Sequence, residues 1–476
     1  MPDVYKILAD AAEKWPDKTA VYDTKGQLTF GELYEQCNIL KEEIIRQGVS
    51  KGKGLGVLAS NSREFIIGLF AGIGSGATVM PLSHQLKENE LQEVIKESGL
   101  HAIMDDHSLN QKNIDFHQLD GPVKLRLTFT KNFNGPDIAP HVDNPAFIRF
   151  TSGTTGKAKG VVISHQSVYE RIEGAQRALE LSADDIVIWV LPMAYHFIAS
   201  IALYVYCGAA IVITDNFMAS TVLKSIKDYG GTLLYASPMH LRMLASDKTD
   251  VMIPTMKRVI STSTSISYEI CQDFLHRYNK PVTQAYGIIE IGLPIINKLY
   301  PEEFPESVGT DVEGYSSVIL DEAGNEVAMG TEGLLAIQGH GMFDAYLNPP
   351  LLRQQVLKNG YFHTADMAVK DVTGRVFVKG RTSSVINISG NKVFPEEVES
   401  IINTLPQIRQ SRIHGVPHPL MGRIVQADIV VKEGHDIKEE DLISFCRKKL
   451  SPFKIPQRVK RVSQIEMTDS GKIKRY

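Results

Sequence analysis

The hydrophobic and polar positions of the first 260 residues alternate between helical and strand spacing. Apolar side chains recur with a helical period over residues 30–46, and a short apolar run follows at residues 55–59. Repetition of this alternation predicts a parallel, doubly wound α/β body. Residues 317–380 change pattern, because short apolar runs such as 317–320 and 334–337 are separated by Gly and Asn turns. This part of the chain is expected to form a β-rich subdomain.

The pattern and the charge change again near residue 382. Residues 383–476 carry 16 Lys and Arg against 11 Asp and Glu, a net charge of +5, which leaves −9 for residues 1–382. Helical patterns at 395–405 and 438–449 lie among strand patterns at 424–431 and 458–462. We therefore expect a large body over residues 1–382 and a small α+β domain over residues 383–476.

One long uncharged stretch, residues 186–214, raises the question of a membrane span. Pro192, His196 and Gly208 divide it into pieces that are each too short to cross a bilayer. Its two ends, 186–191 and 209–214, have strand patterns, which favours a buried α/β core over stable membrane insertion. The N-terminus also lacks the basic and then apolar segments of a signal peptide.

Composition excludes several classes of protein. The 476 residues are 43% hydrophobic and 22% charged, which is typical of soluble globular proteins and not of disordered chains. The net charge of −4 gives no reason to expect a nucleic-acid partner. The four cysteines lie far apart without C-x-x-C spacing, which argues against a disulfide framework or a zinc site and favours a reducing, cytoplasmic location.

The segment with the clearest chemistry is a loop between two strand patterns, at residues 151–160 (TSGTTGKAKG). Its three glycines allow successive backbone N–H groups to converge on an anion, and its four hydroxyls and two lysines add donors and charge. The loop lacks the G-x-x-x-x-G-K-[ST] pattern, so it is not a Walker A loop. We interpret it as a site for a triphosphate; a flexible Gly/Thr turn is the alternative.

Together with four later segments, this loop resembles the adenylate-forming superfamily, which includes acyl- and aryl-CoA synthetases, peptide-synthetase adenylation domains and luciferases. The later segments are 284–290 (QAYGIIE), 361–366 (YFHTAD), 380–399 with its SGNKVFPEEVE stretch, and 468–472 (TDSGK). They follow the family's order and cover essentially the whole chain.

The resemblance implies a role for each matching residue in joining a carboxylate to the α-phosphate of ATP. Glu290 would bind Mg²⁺ and Lys472 would neutralise the approaching anions, and these two are the expected catalytic residues. Tyr286 would stack on adenine, while Asp366 and Arg381 would hold the ribose. The expected ATP- and AMP-binding set is Thr151, Ser152, Gly153, Thr154, Thr155, Gly156, Lys159, Ala285, Tyr286, Gly287, Asp366 and Arg381.

In this family a thiol then attacks the acyl-adenylate, which implies CoA as the second co-substrate. The small domain would rotate about Ser383 between the two steps and present Gly390 and Lys392 to the thiol. His196 and Phe197 resemble the border of an acyl pocket. The uncharged residues that follow them favour an apolar carboxylic acid, fatty or other, over an amino acid.

Four positions depart from the family pattern. Ile289 stands where the family has Thr, which removes a hydroxyl donor, and Ser383 replaces the usual hinge Asp or Lys. Residues 261–266 (STSTSI) replace a glycine-rich adenine segment. Ala365 replaces a glycine beside Asp366, which we expect to be a small change.

Three functions remain open at this point. The first is an AMP-forming acyl-CoA synthetase. The second is a ligase that loads an acyl carrier protein's phosphopantetheine. The third is a nucleotide- or acyl-binding protein with impaired turnover, which the loss of the hydroxyl at Ile289 would explain because removing one donor to developing charge slows catalysis about 100-fold or more.

Overall fold

A computed structural model describes residues 3–86, 88–106, 117–121, 123–150, 159–262, 264–388, 391–418, 422–467 and 473–475. Its α-helices are α1 (Val4–Lys14), α2 (Phe30–Arg46), α3 (Arg63–Gly74), α4 (Glu88–Ser98), α5 (His165–Leu179), α6 (Met193–His196), α7 (Ala202–Cys207), α8 (Ala219–Tyr229), α9 (Pro238–Ala245), α10 (Tyr268–Tyr278), α11 (Arg353–Val356), α12 (Pro395–Ile402) and α13 (Glu439–Lys449).

The strands are β1 (Thr19–Asp23), β2 (Gly26–Thr29), β3 (Gly54–Ala59), β4 (Thr78–Ser83), β5 (Ala102–Asp105), β6 (His117–Gln118), β7 (Arg126–Phe129), β8 (Pro145–Phe150), β9 (Gly160–Ser164), β10 (Ile186–Trp189), β11 (Ala210–Ile213), β12 (Leu233–Ala236), β13 (Arg258–Ser261), β14 (Thr283–Ile288), β15 (Gly292–Ile296), β16 (Thr310–Asp311), β17 (Tyr315–Leu320), β18 (Glu332–Gly339), β19 (Ala345–Tyr346), β20 (Leu351–Leu352), β21 (Phe362–Lys370), β22 (Val376–Arg381), β23 (Ile386–Ile388), β24 (Asn391–Val393), β25 (Ile408–His418), β26 (Gly422–Val431) and β27 (Arg458–Arg461).

Two large sheets form the body, and each has nine strands within the described residues. The first sheet has the order β20-β19-β9-β8-β4-β3-β5-β7-β6, and its β8-β4-β3-β5 centre is parallel. The second sheet has the order β16-β15-β14-β13-β12-β10-β11-β1-β2, parallel from β14 to β1. This confirms the predicted α/β body, although the second sheet continues past residue 260 to Asp311.

The second sheet takes its strands from distant parts of the chain. Val21 of β1 pairs in parallel with Ile211 of β11, so the N-terminal segment completes a sheet built mainly from residues 186–296. Leu28 of β2 pairs with Val21 on the other side of β1 and ends the sheet. Apolar side chains of both sheets share one large hydrophobic core with the helices between them, and the other face of the first sheet contributes Leu82 and Ile148 to a smaller cluster.

Local sequence explains where several elements begin. Thr29 caps α2 because its hydroxyl accepts from the backbone N–H of Glu32, while the Glu32 carboxylate accepts from the Thr29 N–H. α2 therefore starts at Phe30 and spans the predicted residues 30–46. The uncharged stretch 186–214 folds as β10, α6, a π-helical turn (Phe197–Ile201), α7 and β11, which confirms the core interpretation. No helix of the described residues is both long and apolar enough to cross a bilayer.

A four-stranded antiparallel sheet, β17-β18-β21-β22, follows the body in the stretch for which the β-rich subdomain is expected. Beyond the 3₁₀ turn Thr382–Ser384, the chain builds a separate hydrophobic core of its own. That core contains residues of β23 to β26, α12 and α13, such as Ile386, Val398, Ile413 and Leu442. α12 ends at Ile402, three residues before the predicted end, and α13 begins at Glu439.

Candidate active site

The hairpin between β14 and β15 brings Glu290 to the end of the second sheet. A Cβ atom on Gly287 would lie only 2.6 Å from the Gly292 carbonyl oxygen, so the hairpin strands approach as closely as they do because residue 287 is glycine. The Glu290 carbonyl accepts from the backbone N–H of Phe343 at 2.7 Å. The hairpin turn is therefore fixed against the segment that leads into β19.

The Glu290 carboxylate faces Tyr346 of the first sheet. The Tyr346 hydroxyl donates to Glu290 Oε1 at 3.2 Å, and the Lys159 ammonium lies 5.0 Å from the centre of the Tyr346 ring. Burial raises the pKa of Glu290, while the bond from Tyr346 and the positive charges of Arg171 and Arg381 oppose this rise. The expected metal-binding carboxylate thus lies beside the end of the expected phosphate loop.

A second group of predicted residues meets at Asp366. The Tyr286 hydroxyl donates to Asp366 Oδ2 at 2.6 Å, and Arg381 Nε donates to Asp366 Oδ1 at 3.1 Å. Asp366 and Arg381 are also direct partners in the β21–β22 ladder. Burial and the neighbouring Asp366 raise the pKa of Tyr286, so its phenol stays protonated and donates. The structure thus adds a hydroxyl contact to the ring role expected of Tyr286; Ala285, next to it, is buried.

Ala365, beside Asp366, has a φ of 63°, in the left-handed region that favours glycine. The expectation that alanine here is a small change did not take this backbone conformation into account. An L-residue with a Cβ atom pays a conformational cost in this region that glycine does not pay.

Arg171, a buried arginine of α5, was not among the residues expected at the site. Its Nε donates to the Gly341 carbonyl at 2.5 Å, and the neighbouring Glu170 carboxylate accepts from the Gly341 N–H at 2.7 Å. Burial lowers the pKa of Arg171 to about 10, opposed by nearby Tyr315, Asp344 and Glu290. Consecutive residues of α5 therefore hold both backbone groups of Gly341, two residues before Phe343.

A second missed residue is Arg149 of β8, which is partly buried two positions before the loop. Its guanidinium donates to the Tyr195 carbonyl, and its Cζ lies 5.0 Å from the centre of the Tyr195 ring. A sequence signal existed for it, because residues 146–150 (AFIRF) are otherwise apolar and a charged residue in such a strand needs a partner.

The two expected acyl-pocket residues have different surroundings. His196 is partly exposed and lies edge-on to Trp189 and Tyr235, with ring centres 6.0 and 6.1 Å apart. Phe197 is buried, and its ring packs into the main core against Phe70 with a centre distance of 5.4 Å. Phe197 begins the π-helical turn, a feature often found at functional sites.

The expected loop is described only in part. β8 and β9 pair as antiparallel neighbours, with Phe150 opposite Gly160, which confirms the predicted strands on either side of the loop. Lys159 is described, whereas Thr151, Ser152, Gly153, Thr154, Thr155 and Gly156 lie outside the described residues.

Ser383 is exposed within the 3₁₀ turn that leads to the small domain. The Lys392 backbone belongs to β24, and Gly390 and Lys472 lie outside the described residues. The small domain approaches the Asp366 group through Glu396: burial raises the pKa of Glu396, Asp366 raises it further, and Arg475 and Arg381 oppose the rise. Arg475 Nε lies 3.2 Å from Glu396 Oε1, and its guanidinium also pairs with Glu399 at 2.7 Å. These ion pairs hold Arg475, three residues beyond Lys472.

Among the residues with described positions, no three His, Cys, Asp or Glu side chains are grouped so as to hold a metal ion. A cation at this site would therefore depend on Glu290 together with oxygen atoms of a bound phosphate, the usual way in which proteins hold Mg²⁺.

Comparisons with known proteins agree with this arrangement. Residues 8–347 match the family model described as AMP-binding enzyme, and residues 397–472 match the one described as AMP-binding enzyme C-terminal domain. Oxalate–CoA ligase of Arabidopsis thaliana is 27% identical and covers 98% of this chain and 96% of its own. The putative acyl–CoA ligase YdaB of Bacillus subtilis is 27% identical and covers 94% of this chain and 93% of its own.

Solved structures share the fold at lower identity. The o-succinylbenzoate CoA synthetase MenE from Bacillus subtilis, in complex with its acyl-adenylate intermediate, superposes with a TM-score of 0.86 at 21% identity, covering 100% of this chain and 97% of its own. ATP-bound MatB from Rhodopseudomonas palustris superposes with a TM-score of 0.84 at 21% identity and the same coverage.

Proposed function

The chain belongs to the AMP-binding enzyme family, and from this we propose that it is an AMP-forming ligase that joins an apolar carboxylic acid to CoA. The observation that carries the proposal is the convergence of Tyr286 and Arg381 on Asp366, three residues from two different sheets that the family motifs had marked as a nucleotide site. In this role Asp366 accepts from the ribose hydroxyls, Arg381 supports the same sugar, and the Tyr286 ring stacks on adenine. Ala285 and Gly287 are the neighbours of Tyr286 in β14 and would lie along the bound nucleotide.

The phosphates of ATP would lie between the loop and the β14–β15 hairpin. Lys159 is within cation–π distance of Tyr346, and Tyr346 donates to Glu290. A cationic group and the expected metal-binding carboxylate therefore lie on either side of the same tyrosine. We assign Thr151, Ser152, Gly153, Thr154, Thr155, Gly156 and Lys159 to the β- and γ-phosphates. Glu290 would hold Mg²⁺, which when bound neutralises phosphate charge as pyrophosphate leaves.

The acid would enter beside His196, which is partly exposed and lies edge-on to the buried rings of Trp189 and Tyr235. The absence of Asp, Glu, Lys and Arg from residues 186–214 supports an apolar body. An aliphatic or fatty chain and an aryl ring both satisfy this requirement.

The reaction has two half-reactions. A carboxylate oxygen attacks the α-phosphorus of ATP, the bond to the bridging oxygen breaks, and pyrophosphate leaves with the bonding electron pair. The CoA thiolate then attacks the acyl carbon, and AMP leaves as the thioester forms. Lys472 would neutralise the anions of the first step only.

The second half-reaction requires a different surface of the small domain. We place the boundary between residues 382 and 383, with Ser383 as the hinge and Gly390 and Lys392 along the thiol channel. The separate core of residues 386–446 supports this boundary, because the small domain is held together without the body. The net charge of +5 on residues 383–476 suits the phosphates of CoA.

The deciding experiment is pyrophosphate release with ATP and Mg²⁺ across straight-chain, aryl and amino acids, each with and without CoA. We expect release with one apolar class and acyl-CoA as the product. Release without any response to CoA would replace CoA by a carrier-protein thiol. Absence of release with every acid, despite ATP binding, would reduce the chain to a binding protein.

A variant separates the two half-reactions. Lys472→Ala should abolish pyrophosphate release but leave thioester formation from supplied acyl-AMP close to wild type. Lys474→Ala, two residues further on and exposed, is the matched control. Equal loss of both half-reactions in Lys472→Ala would contradict the division of roles.

A further inference from the structure

Arg149 places a cation at the point where the two large sheets meet. It is the fifth residue of β8 in the first sheet, while its hydrogen-bond acceptor, the Tyr195 carbonyl, belongs to α6, which follows β10 of the second sheet. The guanidinium also lies over the Tyr195 ring. Arg149 is therefore fixed at the wall formed by α6, next to His196.

The strand register places Arg149 on the same face as the Glu290 group. Arg149 is directly opposite Val161 of β9, and Val161 is directly opposite Tyr346 of β19. Directly opposite residues project from the same face of a sheet, so the Arg149 and Tyr346 side chains share a face with one strand between them. Tyr346 donates to Glu290 across this face. Arg149 therefore lies between α6 on one side and the Glu290 carboxylate on the other.

The charge of Arg149 has no carboxylate at ion-pair distance within the described residues, and its one hydrogen bond there goes to the Tyr195 carbonyl. The loop that follows, residues 151–158 (TSGTTGKA), contains no acidic residue that could supply one. Burial lowers the pKa of Arg149 to about 10, and Tyr195 and Glu290 oppose this effect, so the group remains a cation at neutral pH. Within the described residues, the partners of this partly buried cation are a carbonyl and an aromatic ring rather than a counter-ion, which points to an anionic ligand.

The position of Arg149 indicates which anion it binds. The loop, Lys159 and Glu290 are assigned to the phosphates of ATP. The α6 side of the site presents Arg149 and the partly exposed rings of Tyr195 and His196. A guanidinium presents a planar pair of N–H groups that matches a carboxylate. We propose that Arg149 binds the reacting carboxylate of the acid substrate and holds it between Tyr195 and Glu290, facing the α-phosphorus. Arg149 neither gives nor takes a proton in the attack described above.

This inference rests on the proposed function and names the residue that recognises the acid. It explains how a site for an apolar acid can still bind an anion, because the body of the acid would lie along the uncharged residues of 186–214 while its single carboxylate contacts Arg149. The contact weakens once the adenylate forms, because the carboxylate charge is then lost to the mixed anhydride.

The test compares Arg149→Met and Arg149→Lys with wild type in initial rates of pyrophosphate release. Met keeps the length and removes the charge; Lys keeps the charge and removes the planar fork. With ATP saturating, we expect Arg149→Met to raise KM for the acid by at least 10-fold and Arg149→Lys to raise it less. KM for ATP should stay within twofold in both variants. Arg258→Met, whose cation pairs with Asp185 away from the site, is the matched control and should leave both constants unchanged.

Three outcomes would overturn the assignment. An unchanged KM for the acid in Arg149→Met removes Arg149 from acid binding. A KM for ATP that rises in parallel assigns the guanidinium to the α-phosphate. If Arg149→Met fails to fold, an unchanged KM for the acid in Arg149→Lys overturns the assignment as well. The proposed function fails separately, because in that case the wild-type protein releases no pyrophosphate with any acid.

Discussion

The hydroxyl oxygen of Tyr286 lies 2.6 Å from a carboxylate oxygen of Asp366, although the two residues are 80 positions apart in the chain. Tyr286 belongs to β14 of the second sheet, and Asp366 belongs to β21 of the four-stranded antiparallel sheet. The other carboxylate oxygen of Asp366 accepts from Arg381. The contact therefore joins two sheets and orients a carboxylate whose remaining lone pairs stay available to a sugar hydroxyl.

The two roles of Tyr286 can be separated by substitution. Tyr286→Phe keeps the ring but removes the donor to Asp366, so we expect the free energy of unfolding to fall by about 1–3 kcal/mol, with a small rise in KM for ATP. Tyr286→Leu also removes the stacking surface and should raise KM for ATP several-fold more. Urea unfolding and ATP-dependent initial rates measure the two effects, with exposed Tyr300→Phe as the control. Equal KM values for ATP in Tyr286→Phe and Tyr286→Leu would rule out stacking of the ring on adenine.

The left-handed backbone at Ala365 predicts a stabilising substitution. Ala365→Gly removes the Cβ atom from a residue at φ 63°, and we expect the free energy of unfolding to rise by about 1 kcal/mol. Exposed Ala323→Gly, at a residue without a positive φ, should instead lose stability, because glycine makes the unfolded chain more flexible. Urea unfolding of both variants and of the wild type measures these opposite changes in the free energy of unfolding. A loss of stability in Ala365→Gly would mean that its backbone is not strained.

Glu290 should make the Mg²⁺ requirement pH-dependent. Burial raises the pKa of Glu290 above its ordinary value of 4.5, so falling pH protonates this carboxylate earlier than an exposed glutamate and weakens metal binding. The Mg²⁺ concentration for half-maximal activity should therefore rise as pH falls through the raised pKa. Glu290→Gln should raise it at every pH and abolish this dependence.

Tyr346→Phe provides the matched variant for Glu290. It removes a hydrogen bond that favours the charged carboxylate, so the pH at which the Mg²⁺ requirement begins to rise should move upward. Mg²⁺ titrations at several pH values measure this midpoint. A downward shift, or an unchanged titration in Glu290→Gln, would remove Glu290 from metal binding.

Two buried histidines predict a loss of stability in acid. His101 Nδ1 accepts from the Gly54 N–H at 2.9 Å, and His165 Nδ1 accepts from the Val4 N–H at 3.0 Å. Protonation of either ring would place one N–H against another, and burial lowers the pKa of both from the ordinary 6.5. The unfolded chain binds these protons near pH 6.5 and the native state does not. The free energy of unfolding should therefore be highest above pH 6.5 and fall below it, by at most about 1.4 kcal/mol per pH unit for each histidine.

Urea unfolding between pH 5 and 8 measures this slope. Glutamine offers an acceptor oxygen that does not titrate in this range. His101→Gln and His165→Gln should therefore each reduce the fall in the free energy of unfolding below pH 6.5. Exposed His435→Gln should leave it unchanged. A wild-type slope that survives both substitutions would assign the acid sensitivity to other groups.

Local sequence predicted the elements that local chemistry fixes. α2 matches its predicted range because Thr29 and Glu32 cap it reciprocally, and β8 and β9 flank the loop as their apolar pattern requires. The Asp366 group was predictable from motifs, although the hydroxyl contact of Tyr286 depends on how two sheets pack and leaves no periodic signal.

The missed residues share a physical reason. Arg171 looks like an ordinary polar position of an amphipathic helix, and only the tertiary fold buries it against Gly341. Ala365 lies where the register between β18 and β21 shifts, between the pairs His363–Ala336 and Met367–Leu334, so its left-handed φ depends on strand pairing rather than on the preference of alanine. The sequence showed Arg149 as a charged residue in an apolar strand. It could not show which side chains lie beside Arg149 on the sheet, because these depend on the strand register.

The pairing of β1 with β11 also determines the order in which the body can be completed during synthesis. Residues 19–23 leave the ribosome early, yet their parallel partner at residues 210–213 follows almost two hundred residues later. The edge of β1 that pairs with β11 therefore stays unpaired while β3, β4 and β5 of the first sheet form from nearby sequence. β2, joined to β1 by a tight hairpin and ending the sheet, covers the opposite edge of β1 in the interval.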